Sequence, residues 1–346
     1  MQYTIQETAK LFGITTNKIR FYEKKGLITP SRGIDNDYRY FSHEDILRLQ
    51  TILLYRAIGL EVSAIKNLLE DSSKTNYLDH LYIQWRLVND EMHNLSRIRT
   101  SLEQMMDTIY ETNEEDYESK ILGQIEQNMK DDVLKNRWKD RWNFDNWAKN
   151  YDKDVIRDGS HVSMYAHYDE LLSGVAQTAM SFLSSTDKVL DIGVGTGNLS
   201  NKLYHEGYQV IGLDQSRAML EVAKSKNPNL KVRLGEFMKL PFDNGVFKVI
   251  VSTYAFHHLD TKEKELAIDE MLRVLTPDGR IILGDLMFES SLAKSKLYET
   301  LTPEQIDEIE DEYYTDIAHL ESYVQKHHKT VHKVQVDMFC WQITIQ

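Results

Sequence analysis

The chain has almost no cysteine and no long hydrophobic run, and each absence excludes a class of protein. Cys340 is the only cysteine among 346 residues, so neither an intramolecular disulfide nor a thiolate cluster for a metal can form. No apolar stretch approaches the length of a membrane span, and the first 13 residues lack the pattern of a secretion signal. We therefore expect a cytoplasmic protein that does not use a membrane.

Charge is distributed unevenly along a chain that is long enough for two or three domains. Residues 1–110 hold 14 basic and 14 acidic residues, so the remaining 27 basic and 40 acidic residues supply the whole net charge of −13. Within residues 1–66, 10 basic residues exceed 7 acidic ones, and this segment can therefore meet DNA phosphates. The acidic remainder would repel a nucleic acid, so we expect its substrate to be small.

Two short helices are predicted at the N-terminus. Residues 4–7, Thr-Ile-Gln-Glu, form a capping box that begins a helix, and Gly13 ends it. A second helix is predicted from Asn17 to Lys25, closed by Gly26. Two short helices joined by a tight turn indicate a helix-turn-helix.

Basic and aromatic residues follow these helices in a specific order. The sequence reads Ile19-Arg20-Phe21-Tyr22-Glu23, then Gly26-Leu27-Ile28, and later Tyr38-Arg39-Tyr40. Over about residues 2–70 it resembles the MerR family of transcription regulators, which implies an all-α winged helix-turn-helix domain over 1–72 that binds promoter double-stranded DNA. The resemblance and the exposed basic pattern predict these DNA contacts: Thr16, Asn17, Lys18, Arg20, Tyr22, Arg32, Tyr38 and Arg39. Alternatively, the arginines are ordinary solvated surface charges.

A heptad repeat follows this domain. Two rows of apolar residues recur every seven positions. The first row spans four heptads: Leu81, Val88, Leu95, Leu102 and Ile109. The second row is Trp85, Met92 and Met106, and Arg99 interrupts it. The repeat predicts a coiled-coil helix over 76–110, and the resemblance implies that a homodimer forms through it. The alternative is a helix packed on the core of its own domain. Because no cysteine lies near this helix, we expect no metal-sensing role.

Residues 111–140 are predicted to be a helical, solvated linker because charged and amide side chains dominate them. Trp138, Trp142 and Trp147 recur near helical spacing around Phe144. We interpret these rings as packing the connector onto the next domain, with ligand stacking as the alternative.

Strands and helices alternate over residues 141–346. Short buried strands are predicted at 188–192, 209–213, 231–234, 249–252 and 280–284, with helical segments between them. The last two apolar-alternating segments are almost contiguous, so they can only be antiparallel neighbours. A mostly parallel α/β sheet, Rossmann-like but ending in an antiparallel hairpin, resembles the class I methyltransferase fold.

A glycine turn follows the first of these strands. Gly193, Gly195 and Gly197 are spaced one residue tighter than in a dinucleotide fingerprint, and Asp191 lies just inside the strand. S-adenosylmethionine (SAM) has no pyrophosphate; it needs close backbone approach and a nearby carboxylate, which this turn offers. We therefore predict SAM as the cofactor.

Residues after the later strands complete the resemblance to SAM-dependent methyltransferases over about 140–346. Asp214 is positioned to accept both ribose hydroxyls, and Glu236 and Phe237 are predicted to meet the adenine. The further predicted cofactor contacts are Tyr151, Gln215, Met219 and Ser252. Motifs that follow in family order are Leu240-Pro241-Phe242, His257-His258-Leu259 and Pro277-Asp278-Gly279. The alternative is a degenerate sheet that kept its turns.

His257 and His258 are the candidate catalytic residues, since either imidazole can take a proton from an oxygen or nitrogen acceptor. The alternative is that either histidine is only a wall residue of the cleft. The histidines near the C-terminus are too loosely spaced for a metal site, and we predict none. The sequence thus predicts a MerR-type regulator fused to a methyltransferase that methylates a small molecule. The alternative is a non-catalytic regulator that uses the fold to sense SAM or a small-molecule effector.

Overall fold

The computed structural model divides into two compact units, residues 1–97 and 98–346, and each is described by itself. No helix among the described residues is both long enough and apolar enough to cross a membrane. The predicted linker, 111–140, lies largely outside the described residues. The described ranges are 2–33, 37–70, 77–111, 120–123, 125–126, 129–130 and 141–346.

The first unit begins with the two predicted short helices. Thr4 and Glu7 form the capping box, with the Thr4 backbone N–H donating to Glu7 Oε2 at 2.8 Å, and Gly13 ends the first helix in the left-handed region. Thr15 caps the second helix. The elements are β1 Tyr3–Thr4, α1 Ile5–Phe12, α2 Thr16–Lys24, β2 Ser31–Arg32, β3 Arg39–Phe41, α3 His43–Ala57, α4 Val62–Glu70 and α5 Tyr77–Glu111.

A small antiparallel sheet forms the wing beside these helices. Its order is β1-β3-β2, so β3 pairs with both neighbours and brings Arg32 opposite Arg39. Ile19, Phe41 and Leu49 are fully buried, and they join α2, the wing and α3 in one core.

Helix α5 begins and ends within a residue of the predicted coiled coil. Near its start, Gln84 donates its amide to the Thr51 carbonyl at 3.1 Å, which ties this end to α3. Farther along, Leu95, Leu102 and Ile109 are each about half exposed, at 55%, 54% and 50%. The apolar row is therefore not covered within the described residues.

The second unit has the expected alternation of helices and strands. The elements are α6 Phe144–Trp147, α7 Tyr151–Arg157, α8 Tyr168–Met180, β4 Lys188–Ile192, α9 Asn198–His205, β5 Gln209–Asp214, α10 Arg217–Lys226, β6 Lys231–Leu234, β7 Phe247–Thr253, α11 Thr261–Val274, β8 Leu275–Phe288, α12 Ser291–Tyr298, α13 Pro303–Glu310, β9 Thr315–Asp316, α14 Ile317–Gln325, β10 Val331–Gln335 and β11 Cys340–Ile345.

These strands form one sheet with the order β10-β11-β8-β7-β4-β5-β6. Strands β4 to β8 are parallel, whereas β11 is antiparallel to both β8 and β10. The Rossmann-like methyltransferase fold with its antiparallel hairpin is thereby confirmed. The parallel strands end at one edge, and the strand order reverses there between β4 and β7, which is where ligands bind in open α/β sheets.

Strand β8 is longer than predicted. The sequence predicted only 280–284, but the strand runs from Leu275 to Phe288. Past Gly284 it continues because it pairs with β11 and then with the short β9. Met287 pairs with Thr315 of β9. This extension carries the buried Asp285 one residue past the end of the pairing with β7, where it still pairs with Trp341 of β11.

Candidate cofactor pocket and DNA-binding surface

The glycine turn between β4 and α9 has the backbone that only glycine adopts easily. Gly193, Gly195 and Gly197 have φ of 72°, 51° and 86°. A Cβ on Gly193 would lie 2.4 Å from the Cβ of Ala255, so this position also requires the absence of a side chain. The turn is therefore a backbone cradle packed tightly against the segment after β7.

Asp214, at the end of β5, holds the cradle in place. Its Oδ2 accepts from Gly195 N–H at 2.8 Å and its Oδ1 accepts from Ser216 N–H at 2.8 Å. The side chain lines a cleft and is 8% exposed. Each carboxylate oxygen can accept more than one hydrogen bond, so Asp214 can bind a ligand's hydroxyls without losing the turn.

Asp191 lies beneath the turn rather than on the cleft wall. It is buried, and the Ser200 hydroxyl donates to its Oδ2 at 2.7 Å. Burial raises the pKa of Asp191 to about 7, and the nearby Asp214 carboxylate adds to the increase. Any contact with a ligand is therefore indirect.

The cleft lies at the carboxyl ends of the strands and, with the open solvent at its mouth, spans about 770 Å³. Of the predicted cofactor and catalytic residues, nine line it: Tyr151, Gly193, Gly195, Asp214, Gln215, Met219, Glu236, Phe237 and His258. The predicted residues that are not on its wall are Asp191, Gly197, Ser252 and His257. Gly197 instead begins α9. Ser252 is buried in β7, and its hydroxyl has no hydrogen-bond partner among the described residues.

Helix α6 contributes a pocket residue that the sequence assigned to packing. Phe144 lines the cleft, and Asp145 beside it accepts from the Ser216 hydroxyl at 2.6 Å and from Ala218 N–H at 3.1 Å. Asp145 thus ties α6 to the first turn of α10. The sequence pattern that could have predicted this role is an aromatic residue followed by an acidic one just before the cofactor domain.

Tyrosine rings form the opposite part of the wall. Tyr168 and Tyr254 stack with ring centroids 5.2 Å apart, and Tyr165 lies 5.3 Å from Tyr254. Burial raises the pKa values of Tyr151 and Tyr168 above their ordinary value, so these hydroxyls stay neutral at pH 7. The wall presents electron-rich faces without a formal charge.

The two histidines have different surroundings. His257 is buried, and its Nδ1 lies 2.5 Å from Oδ1 of Asp285. Although burial opposes it, the Asp285 carboxylate raises the pKa of His257. His258 lines the cleft, and burial together with neighbouring His257 lowers its pKa to about 4. His258 is therefore neutral at pH 7 and is the histidine that a ligand can reach.

Sequence reasoning missed Asp285 and Glu312. Asp285 accepts three backbone N–H groups, from residues 255, 256 and 257, at 3.2, 2.7 and 3.1 Å. The signal for Asp285 was a lone carboxylate inside an apolar strand, since such a group needs a partner. Glu312 gave no such signal because it lies in an acid-rich segment.

The candidate DNA surface of the first unit consists of one face of α2 and the wing. Asn17, Lys18 and Arg20 are exposed, and Tyr38 of the wing is 67% exposed. Thr16 is partly buried at the start of α2.

Tyr22 is a correction to the predicted set. Only 1% of Tyr22 is exposed, because this position of α2 turns into the core against α3. Its ring is a core residue and is not part of the basic surface.

Glu23 joins the two predicted wing arginines to α2. Its Oε1 lies 2.7 Å from Arg32 Nη2, and its Oε2 lies 2.6 Å from Arg39 Nε. The single carboxylate thus fixes both guanidinium groups relative to the helix.

Comparison with known proteins agrees with both units. Residues 189–279 match the sequence profile of a methyltransferase domain, and residues 3–72 match that of the MerR HTH family of regulatory proteins. An uncharacterized methyltransferase of Oceanobacillus iheyensis is 38% identical over 206 residues, covering 58% of this chain and 94% of that protein. One from Bacillus cytotoxicus is 36% identical over 204 residues, covering 57% and 93%.

Proposed function

Because the chain belongs to the methyltransferase family and carries a MerR-type helix-turn-helix at its N-terminus, we propose that it is a promoter-binding regulator whose second unit uses SAM to methylate a small molecule. The protein acts in the cytoplasm as a homodimer. The small molecule that accepts the methyl group, or one that resembles it, is also the effector that changes promoter binding. One ligand therefore acts on both the methyltransferase and the regulator.

The observation that carries the proposal is the joint geometry of Asp214 and the glycine turn. The turn exposes backbone at the end of β4, and Asp214 stands beside it at the end of β5. A nucleoside lying across these two strand ends places its ribose hydroxyls on Asp214 and its amino-acid tail over the glycines. The clash that a Cβ at Gly193 would cause shows that the cradle tolerates only a glycine there.

The rest of the pocket fits the other parts of SAM. Glu236 and Phe237 would meet the adenine amine and the purine face, with Met219 and Phe144 closing over the ring. Asp191 would balance the ligand's ammonium through an intervening group, because its side chain lies under the turn.

At the reactive end, SAM supplies an electrophilic methyl group on a positively charged sulfur. The neutral rings of Tyr151, Tyr168 and Tyr254 face this part of the cleft and favour a cation by their π faces. His258, neutral at pH 7, can accept a hydrogen bond from an acceptor's hydroxyl or amine. Holding the acceptor in line supplies most of the rate in such a transfer.

The first unit would bind DNA with α2 in the major groove and the wing against the backbone. Asn17, Lys18 and Arg20 occupy the exposed face of α2, and Arg32 and Arg39 would meet phosphates. The half-exposed apolar row of α5 would pair with the same row of a second chain.

The cofactor proposal is tested by calorimetric titration of the full chain with SAM and with S-adenosylhomocysteine. We expect micromolar binding, about −8 kcal/mol. Asp214→Ala should abolish it, whereas Asp243→Ala, which removes an exposed carboxylate of the same unit, should leave it unchanged. Unchanged affinity in Asp214→Ala would contradict the assigned site.

Turnover is tested separately, by incubating the SAM-loaded protein with candidate acceptors and following S-adenosylhomocysteine. Formation of the product with an acceptor supports the enzyme. Tight binding with no product from any acceptor, but with altered operator affinity, would establish the sensing alternative instead.

DNA binding is tested with Arg20→Ala. This variant should weaken operator binding without changing SAM affinity, and Lys10→Ala, which removes an exposed cation from α1, is the matched control. Loss of both activities in Arg20→Ala would mean that the variant is misfolded.

A further inference from the structure

Three potential metal ligands converge beside the cleft. Nδ1 of His258 lies 3.1 Å from Oε2 of Glu312, and Nε2 of His257 lies 3.9 Å from the same oxygen. One ligand atom of each residue lies within 4.8 Å of those of the other two. Ligand atoms around a tetrahedral zinc ion are about 3.3 Å apart, so side-chain shifts of an ångström or less would complete the set.

The orientation of His257 is fixed by a buried carboxylate. Asp285 holds Nδ1 of this ring at 2.5 Å and is itself held by backbone N–H groups on both oxygens, including Leu286 N–H on Oδ1 at 2.7 Å. The hydrogen bond places the proton on Nδ1 and leaves the Nε2 lone pair facing Glu312. A carboxylate that orients an imidazole through its other nitrogen is the usual support of a metal-binding histidine.

The local charge also favours a cation. Asp285 and Glu312 contribute two carboxylates, whereas the ammonium of Lys264 is the cation that interacts with them, and Lys264 donates to the backbone carbonyl of Tyr313 at 2.5 Å. A divalent ion would displace any proton from the ligating nitrogens and meet two imidazole nitrogens and one carboxylate.

An unpartnered hydroxyl lies next to this set. The ring of Tyr314 has its centroid 6.5 Å from that of His257, and its buried hydroxyl has no hydrogen-bond partner among the described residues. A water molecule on the ion would supply the missing partner. The internal hydrogen bonds of the cluster leave this group unexplained.

We propose that His257, His258 and Glu312 bind a divalent transition-metal ion, with Zn²⁺ chemistry, at the edge of the cleft. Two imidazoles and one carboxylate are a set that zinc uses where a coordination position is left open for a small ligand. His258 lines the cleft, so the open position would be available to an oxygen or sulfur atom of the bound acceptor. That use of the ion rests on the proposed function; metal binding itself does not.

Zinc binding is measured by calorimetry on the full chain after dialysis against a chelator, with metal content per chain determined in parallel. We expect one tight site. Glu312→Gln should weaken Zn²⁺ binding by at least tenfold, and Glu312→His should largely retain it because a third imidazole replaces the carboxylate. Asp311→Asn, an exposed neighbour with the same loss of charge, should bind Zn²⁺ like the wild type.

The orienting role of Asp285 gives a second measurement. Asp285→Asn should weaken Zn²⁺ binding roughly 10–100-fold, and Co²⁺ bound to the wild type should show the visible absorption of a low-coordinate site that Glu312→Gln lacks. Circular dichroism and SAM titration of each variant establish that it is folded.

The outcomes separate this proposal from the proposed function. Equal Zn²⁺ affinity in the wild type, Glu312→Gln and Asp311→Asn would overturn the metal site and leave a hydrogen-bonded cluster, even if SAM binds normally. Zinc binding that needs Glu312 in a protein that binds no SAM would support the metal site while the cofactor proposal fails.

Discussion

Two carboxylates inside the same sheet differ in ionisation because their partners differ. Asp191 in β4 accepts hydrogen bonds from Ser200 and has a second carboxylate nearby, but no cation among the described residues contributes to its pKa shift, and burial raises its pKa to about 7. For Asp285 in β8, burial also opposes ionisation, but the His257 imidazole lowers the pKa below its ordinary value. Asp285 therefore stays charged across the neutral range, whereas Asp191 gains its charge only near pH 7.

Asp191 should make the stability of the second unit depend on pH. Its pKa is 3.8 unfolded and about 7 folded, so the folded state binds more protons between these values. The stabilisation is present below pH 3.8 and is lost as pH rises to about 7, by about 1.4 kcal/mol per pH unit. Asp191→Asn removes this loss, so its free energy of unfolding should rise relative to the wild type between pH 4.5 and 7.5.

Urea unfolding at several pH values measures the difference between the two proteins. Asp243→Asn, which makes the same change at an exposed position, is the matched control. A constant offset between Asp191→Asn and the wild type across the range would mean that the carboxyl does not titrate near pH 7.

Residue roles were predictable from the sequence where they depend on local motifs. Asp214 follows a buried strand, and its place on the cleft wall could be inferred from that position alone. The pairing of His257 with Asp285 joins the turn after β7 to strand β8, 28 positions later, and Glu312 comes from 54 positions beyond His258. Such contacts depend on strand order and register, which no local pattern specifies.

At the scale of elements, a turn can require glycine for two separate reasons: a positive φ, or the absence of a side chain where another segment packs closely. Gly193 and Gly245 both have positive φ, 72° and 67°, but a Cβ on Gly245 would meet no atom within 4 Å. Gly245→Ala should therefore cost only the backbone strain, about 1–2 kcal/mol. Gly193→Ala should cost more, and it should abolish SAM binding because the new Cβ displaces Ala255 and the wall beside Phe237.

Thermal unfolding and SAM titration of the two glycine variants provide the measurement. Gly245→Ala is the matched control, since it should retain SAM affinity despite its lower stability. If both variants lost stability equally and both bound SAM, close packing at Gly193 would have no part in the cofactor site.

The wing and α2 should act as one element because Glu23 holds both wing arginines. These ion pairs are partly exposed, so Glu23→Gln should change the free energy of unfolding by less than about 1 kcal/mol. It should reduce the ratio of operator affinity to non-specific DNA affinity by roughly tenfold. The two wing arginines keep their charges in this variant, but they are no longer held where their phosphate contacts position the helix.

Binding of operator and random duplexes at one salt concentration measures that ratio. Glu44→Gln removes the same charge from an exposed site on α3 and should leave the ratio unchanged. Equal effects of the two variants would show that net charge, and not the position of the arginines, determines specificity.

Element bounds were predictable where apolar periodicity and caps coincide. The strand at 188–192 and the capping box at Thr4 were predicted as observed. The length of β8 was underestimated, because pairing with β11 and β9 decides where that strand ends and both partners lie later in the chain. The place of α6 on the pocket likewise depends on its tertiary contact with α10.

At the scale of the whole molecule, the half-exposed apolar row of α5 bears on oligomeric state. Residues of this row, Leu95 and Leu102 among them, expose about half of their surface, which a second helix with the same heptads would bury. A dimer also places two helix-turn-helix modules on one operator, and two half-sites are usually one helical turn apart. The proposed coiled-coil homodimer would account for both the sequence repeat and the DNA-binding proposal.

Leu102→Glu should convert the dimer to a monomer, because a carboxylate in the seam would be buried without a partner. Sedimentation of the wild type at twice the chain mass, and of this variant at the chain mass, is the expected result. Gln104→Glu adds the same charge outside both apolar rows and should remain dimeric. Operator affinity should fall when dimerisation is lost, whereas SAM affinity per chain should not change, since the residues that line the cleft lie outside α5. A wild-type monomer that still binds operator tightly would contradict the dimer and leave the apolar row of α5 to another partner.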